Sequence, residues 1–143
     1  MRLLGIDLGD KRTGIALADT ITGIATPIEV IEVPIARRDG VDLLDAIVRA
    51  VERELGPVSA EGEIVLGLPL NMDGSQGPRA RMVSEFGIRV EQATGRTVHL
   101  HDERLSSVEA DKRMARTGLT HGQKKSRRDA IAAAGILGSY MER

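Results

Sequence analysis

The feature that most limits the fold is a change of hydrophobic rhythm about 35 residues into the chain. Before it, apolar residues come in short runs of β character. Residues 2–7 read as a strand, and residues 14–18 follow at hairpin distance after the polar turn 9–12. Residues 24–33 form a third β-rich run after Thr22 and Gly23. Beyond it, Val41, Leu44, Ile47, Val48, Val51 and Leu55 recur at helical spacing and stop at Gly56-Pro57. Residues 63–68 are a fourth apolar strand, residues 79–94 a second helix closed by Gly95, and residues 97–102 a fifth strand. Ser106-Ser107-Val108-Glu109 has the pattern of a capping box opening a helix to about Arg116. Residues 117–125 read as a loop, and Ser126 caps a last helix over residues 127–141. An antiparallel meander of three strands followed by alternating helix and strand predicts an α/β fold, with one mixed five-stranded sheet and helices on both faces. A chain of 143 residues suits a single domain, 1–143.

Composition narrows the function. The chain has one Phe, one Tyr and no Trp, which excludes the aromatic platforms on which sheet-faced RNA binders and OB folds stack bases. Without cysteine there is no thiolate nucleophile and no zinc-thiolate site, so any metal must sit on oxygen or histidine. The first apolar run stops at Asp7, too short for a signal segment or a membrane span, and a soluble cytoplasmic protein is expected.

Three carboxylates stand at element ends. Asp7 closes the first strand ahead of Gly9 and Gly14, where backbone can approach a phosphate closely; it could equally cap its own turn. Glu103 follows the fifth strand, at the kind of strand end where chemistry gathers in α/β sheets, though a solvated pair with Arg104 is the plainer reading. Asp129 lies in the first turn of the last helix, where an acid also favours the positive helix end. Together they say more. The run Ala132-Ala133-Ala134-Gly135 is small enough to bring that helix close to the sheet and Asp129 towards Asp7 and Glu103. An all-oxygen cluster favours Mg²⁺ or Mn²⁺ over zinc, and two such ions about 4 Å apart are a known device for phosphodiester hydrolysis. Asp102 alternates away from Glu103 and is left out of the core set, whereas His101 shares its parity and could shuttle a proton or simply be hydrogen-bonded.

The segments LLGIDLGDKRTGIALAD, VLGLPLNMDGSQGPRA, HLHDERLSSVEA and KKSRRDAIAAAGILGSY, in this order along the whole chain, resemble the YqgF family, also called RuvX, a branch of the RNase H-like nucleases related to the RuvC resolvases. The resemblance implies an RNase H-like fold and a nuclease that matures the 5′ end of pre-16S rRNA, with Holliday junction resolution on branched DNA as the alternative. The family's acidic positions fall on Asp7, Glu103 and Asp129 with no departure. Asp7 would bridge two ions, and Glu103 and Asp129 would each complete one coordination sphere. Hydrolysis would leave 5′-phosphate and 3′-hydroxyl ends. Two other classes compete. An actin-like ATP-binding domain shares the topology but needs a second domain to clamp nucleotide, and a non-catalytic ribosome-assembly factor would use the carboxylates only as caps. The oligomeric state, monomer or homodimer, is left open.

Charge is partitioned. Residues 111–128 hold seven basic side chains against Asp111, a net +6 within a chain whose formal net charge is −1. That segment runs directly into Asp129, as a grip on a phosphate backbone would. Candidate contacts are Lys11 and Arg12 after Asp7, Arg104, Ser106 and Ser107 after Glu103, Lys124, Lys125, Arg127 and Arg128 before Asp129, and Asn71 and Gln76 in the loop 69–78. Met72 in that loop reads as a packing residue. Neutralising Lys124, Lys125, Arg127 and Arg128 together is expected to flatten the decline of nucleic-acid affinity with salt. Binding isotherms across a salt series check this, and an unchanged slope would remove the segment from the binding path.

Overall fold

The structure is a computed structural model and describes residues 1–105 and 127–142. Strands β1 (Arg2–Leu8), β2 (Thr13–Asp19) and β3 (Ile24–Ile31) are followed by helix α1 (Val41–Leu55) and strand β4 (Glu63–Leu68). Helix α2 (Pro78–Thr94), strand β5 (Val98–Asp102), a 3-10 turn (Glu103–Leu105) and helix α3 (Arg128–Met141) complete them. The five strands form one sheet in the order β3-β2-β1-β4-β5, antiparallel through the first three and parallel from β1 to β4 and β5. The expected α/β architecture is thus present. The expected helix over 106–116, the loop 117–125 and the Ser126 cap lie outside the described residues.

Local chemistry accounts for the elements. β1 is central, so Leu3, Leu4, Gly5 and Ile6 are all buried and the strand reads as a continuous apolar run. β3 stops at Ile31, two residues short of expectation, where its pairing with Thr13 ends. As the edge strand it tolerates Pro27 beside a register shift. α1 buries Leu43, Ile47, Ala50, Val51 and Leu55 and ends at Gly56, whose φ of 83° suits glycine. α2 starts on Pro78, which needs no amide partner there, and is closed by Gly95.

Side-chain parity then sorts the sheet into two faces. Leu4, Ile6 and Leu8 of β1 join Ile64, Leu66 and the buried faces of α1 and α2 in the larger core. Leu3, Ala16, Ala18 and Val65 face the other way and pack with Ala133, Ala134, Ile136 and Leu137 of α3. Asp7 shares the parity of Leu3 and Gly5, and so projects on the α3 side.

Glycines on three adjacent strands set how close α3 comes. A Cβ on Gly5 would lie 2.6 Å from Leu137 Cγ, one on Gly67 2.5 Å from Ile136 Cδ1, and one on Gly14 1.8 Å from the carbonyl oxygen of Asp129. The last contact is with main chain, which cannot rotate aside. Gly14→Ala is therefore expected to cost at least roughly 1–3 kcal/mol of stability and Gly67→Ala less, because Ile136 can change rotamer. Urea unfolding of both variants gives the ranking.

Candidate active site

The site lies on the α3 face, where β1 and β5 end and α3 begins. In β1 the Asp7 backbone pairs with Gly14 of β2, and Gly14 in turn supports the main chain of Asp129 in the first turn of α3. Glu103 follows β5 directly and heads the 3-10 turn. β4 separates β5 from β1, so Glu103 has two strand spacings, roughly 10 Å, to cross before it meets Asp7. Glu103 lies over Gly67 of β4, where a Cβ would stand in ordinary contact 3.5 Å from Glu103 Oε1 but only 2.5 Å from Ile136 Cδ1, so α3 is what requires the glycine. Sequence reading missed Gly67; its only signal is a lone glycine inside a strand, which marks close approach of another group.

Asp7 is half-buried and its carboxyl shares a hydrogen bond with that of Glu103. Burial, this hydrogen bond and the charges of Glu103 and Asp129 push Asp7 up to about 9, while the Arg79 cation pulls it down. The two carboxyls therefore hold a proton between them at neutral pH. Asp129 stands close enough to act on Asp7 through its charge, but its Oδ2 lies 3.4 Å from Arg12 Nε. Among the described residues no group of three or more His, Cys, Asp or Glu side chains is assembled to hold a metal ion. Asp7 and Glu103 meet, and Asp129 is engaged elsewhere.

Arginines position the surrounding turns. Arg79, at the start of α2, donates to Leu8 O at 2.9 Å and pairs with Asp10, bracing the β1–β2 turn beside Asp7. Nothing local in the sequence marks Arg79 for this, because the contact spans 71 positions. Arg104 forks onto Asp102, with Nη2 2.7 Å from Oδ2, and donates to the carbonyls of Asn71 and Met72 at 3.1 and 3.0 Å. It ties the loop 69–78 to the end of β5, and it holds Asp102 below the usual carboxylate range.

The other candidates are spread around this centre. Lys11, Arg12 and Arg128 are exposed, and Arg127 donates to Pro27 O at 2.9 Å, fastening the start of α3 to β3. Asn71 is exposed and its amide donates to Ser75 Oγ at 3.1 Å. Ser106, Ser107, Lys124 and Lys125 lie outside the described residues. His101 is buried, with Nε2 2.8 Å from Ser139 Oγ on α3, which places it in the packing behind the site. Met72 contradicts expectation: it is 94% exposed, since the loop turns it outward and Asp73, Ser75 and Arg104 bond only the backbone and polar groups around it.

The match to known proteins follows the geometry. Residues 1–143 match the family described as RuvX: Holliday junction resolvase. A protein of Anaeromyxobacter sp. (strain K) named "Putative pre-16S rRNA nuclease" is 43% identical over 143 residues, covering 100% of this chain and 98% of its own. One of the same name from Anaeromyxobacter dehalogenans (strain 2CP-1 / ATCC BAA-258) is 42% identical over 143 residues with the same coverage. The structure titled T. thermophilus RuvC in complex with Holliday junction substrate is similar with a TM-score of 0.62 at 18% identity, covering 97% of this chain and 91% of that one, a likeness of fold. The family resemblance and the RNase H-like fold expected from the motifs are both borne out.

The Asp7 shift makes stability depend on pH. The folded chain keeps the Asp7 proton up to about pH 9, whereas the unfolded chain releases it near 3.8. Between those values unfolding releases a proton that folding retains, so stability falls as pH rises from about 4 towards 9. Denaturation in chelator at about pH 5 and about pH 8.5 should show a smaller loss in Asp7→Asn than in the parent chain. Equal losses would assign the dependence to another group.

Proposed function

The chain belongs to the RuvX family, and on that premise we propose that it is a divalent-cation-dependent nuclease that hydrolyses phosphodiester bonds of pre-16S rRNA during 5′-end maturation. The observation that carries this reading is the meeting of Asp7 with Glu103 beside Asp129, at the end of the sheet where α3 begins. Carboxylates serving only as caps or surface charges have no reason to converge. Burial first, and then Glu103 and Asp129, raise Asp7, and an all-oxygen donor set of this kind fits Mg²⁺ or Mn²⁺. Asp7 and Glu103 would hold the ion, with Asp129 completing the set. When bound, the cation supplies Lewis acidity that neutralises charge growing on the phosphoryl oxygens and activates water.

The chain's own residues do the rest. To hold a cation Asp7 would have to be ionised, its proton passing to solvent, and Asp7 and Glu103 would then both present carboxylate oxygens. The turn carrying Lys11 and Arg12 lies beside Asp7 and offers charge-assisted donors to a phosphate. Arg127 and Arg128 at the head of α3, with Lys124, Lys125 and Ser106, continue the backbone grip, while Arg104 and Asn71 hold the loop 69–78 that borders the substrate. With almost no aromatic side chains, recognition rests on shape and phosphate positions.

A second reading, resolution of Holliday junctions, is favoured by the family's description. A junction enzyme presents two sites related by a twofold axis and acts as a homodimer, whereas end processing of RNA is open to a monomer. On this reading the chain acts in the cytoplasm, with residues 1–143 as one nuclease domain. No helix among the described residues is long and apolar enough to cross a membrane.

Cleavage of a pre-rRNA 5′ end, a four-way junction and linear controls with Mg²⁺ or Mn²⁺ tests the proposal. Asp7→Asn, Glu103→Gln and Asp129→Asn are each expected to lower the rate by about 10²-fold or more. Undiminished cleavage in all three would falsify the site assignment, and preference for the junction would select the second reading.

A further inference from the structure

We infer that Arg12 is a latch on Asp129: in the free chain it holds the third carboxylate apart from Asp7 and Glu103, and a substrate phosphate releases it by drawing the guanidinium away. The inference rests on the reading of the three carboxylates as a cation site and assigns a positioning role within it. Arg12 Nε lies 3.4 Å from Asp129 Oδ2. Among the described residues no three ligating side chains are gathered around one point. Asp129, near enough to act on Asp7 through its charge, is thus paired with Arg12 while Asp7 and Glu103 bond each other.

The main chain on both sides of this pair is pinned. The β1–β2 turn is braced by Arg79 on Leu8 O and Asp10, and by the Ile35 amide on Asp10 O at 3.1 Å. It is tight enough that a Cβ on Gly9 would fall 2.3 Å from Arg12 O. Asp129 is seated on Gly14 through its own carbonyl. Only side-chain torsions are left to exchange partners. Arg12 is 61% exposed and Asp129 33%, so the pair is solvent-screened and weak. A phosphodiester oxygen pair, by contrast, matches the guanidinium fork with two parallel hydrogen bonds. Phosphate is the better partner, and the exchange frees Asp129 at the place where Asp7 and Glu103 already meet.

Two consequences follow. Cation affinity is held down in the absence of nucleic acid, and cation and nucleic acid promote each other's binding, as any shared equilibrium requires. The hydrolytic set is completed when a backbone phosphate is in place, which limits cutting of misplaced strands.

The test is titration of Mn²⁺ into the full chain without nucleic acid, following free ion by electron paramagnetic resonance. Arg12→Gln is expected to bind Mn²⁺ about 1.5- to 5-fold more tightly than the parent, the worth of one exposed ion pair. Lys11→Gln removes the same charge from the same turn and should raise affinity less. In an Asp129→Asn background the gain from Arg12→Gln should vanish, because the partner of the latch is gone. A gain that persists in that background, or that Lys11→Gln matches, reflects bulk charge and overturns the latch while leaving the cation site standing. Unchanged affinity in Arg12→Gln, with Asp129→Asn still weakening binding, does the same. Failure of the parent and every variant to bind Mn²⁺ overturns both the latch and the cation reading beneath it.

Discussion

The main chain of α3 touches the sheet with almost nothing between them, and the carboxylate site depends on that contact. Gly14 lets the backbone of Asp129 rest on β2, Gly5 admits Leu137 over β1, and Gly67 admits Ile136 over β4. Layers that pack through full side chains stand well apart, roughly 10 Å for stacked sheets. At that separation an acid in the helix's first turn would not reach one at a strand end. The alanines of α3 contribute the other half of the approach. Ala130, Ala133 and Ala134 are buried, so the helix has small residues where it meets the glycines.

Close packing of this kind concentrates negative charge, and the chain answers with arginine. Arg79 faces Asp7 and Asp10, Arg12 faces Asp129, and Arg104 faces Asp102. Each guanidinium balances a carboxylate, and two of them also fasten a turn or loop by donating to backbone carbonyls. The near-neutral composition of the chain therefore conceals carboxylates and arginines paired along the same end of the sheet. A cation at the carboxylates and a polyanion on the arginines would complement each set, which is the arrangement a phosphodiester-cutting site requires.

A buried cation at the far side of the fold works by different chemistry. Arg96 is only 4% exposed, and its guanidinium donates to the carbonyls of Ala60, Gly62, Gly56 and Pro57 at 2.7 to 3.1 Å and to Leu55 O at 3.4 Å. It satisfies the carbonyls left over where α1 ends and the chain turns towards β4. Its partners in these bonds are all backbone carbonyls, a structural role. Periodicity gives no hint of this, because Arg96 sits in a turn that looks exposed by composition.

By itself the sequence determined the order of elements, their approximate ends and the face each strand residue takes. These depend on hydrophobic period, glycine and proline, all readable within a few residues. The small-residue run Ala132–Gly135 announced a close-packed last helix, while the face of the sheet that it shares with Asp7 came from the fold. Family motifs located Glu103 and Asp129. Tertiary structure decided who pairs with whom. Gly67 makes room for Ile136, Arg79 braces a turn 71 positions away, Arg104 reaches back 33 positions to Asn71, and Met72 turns outward though its type suggests packing. Such contacts join residues with no local relation, and exposure of a loop side chain depends on what folds over it. No pattern within a short window encodes either.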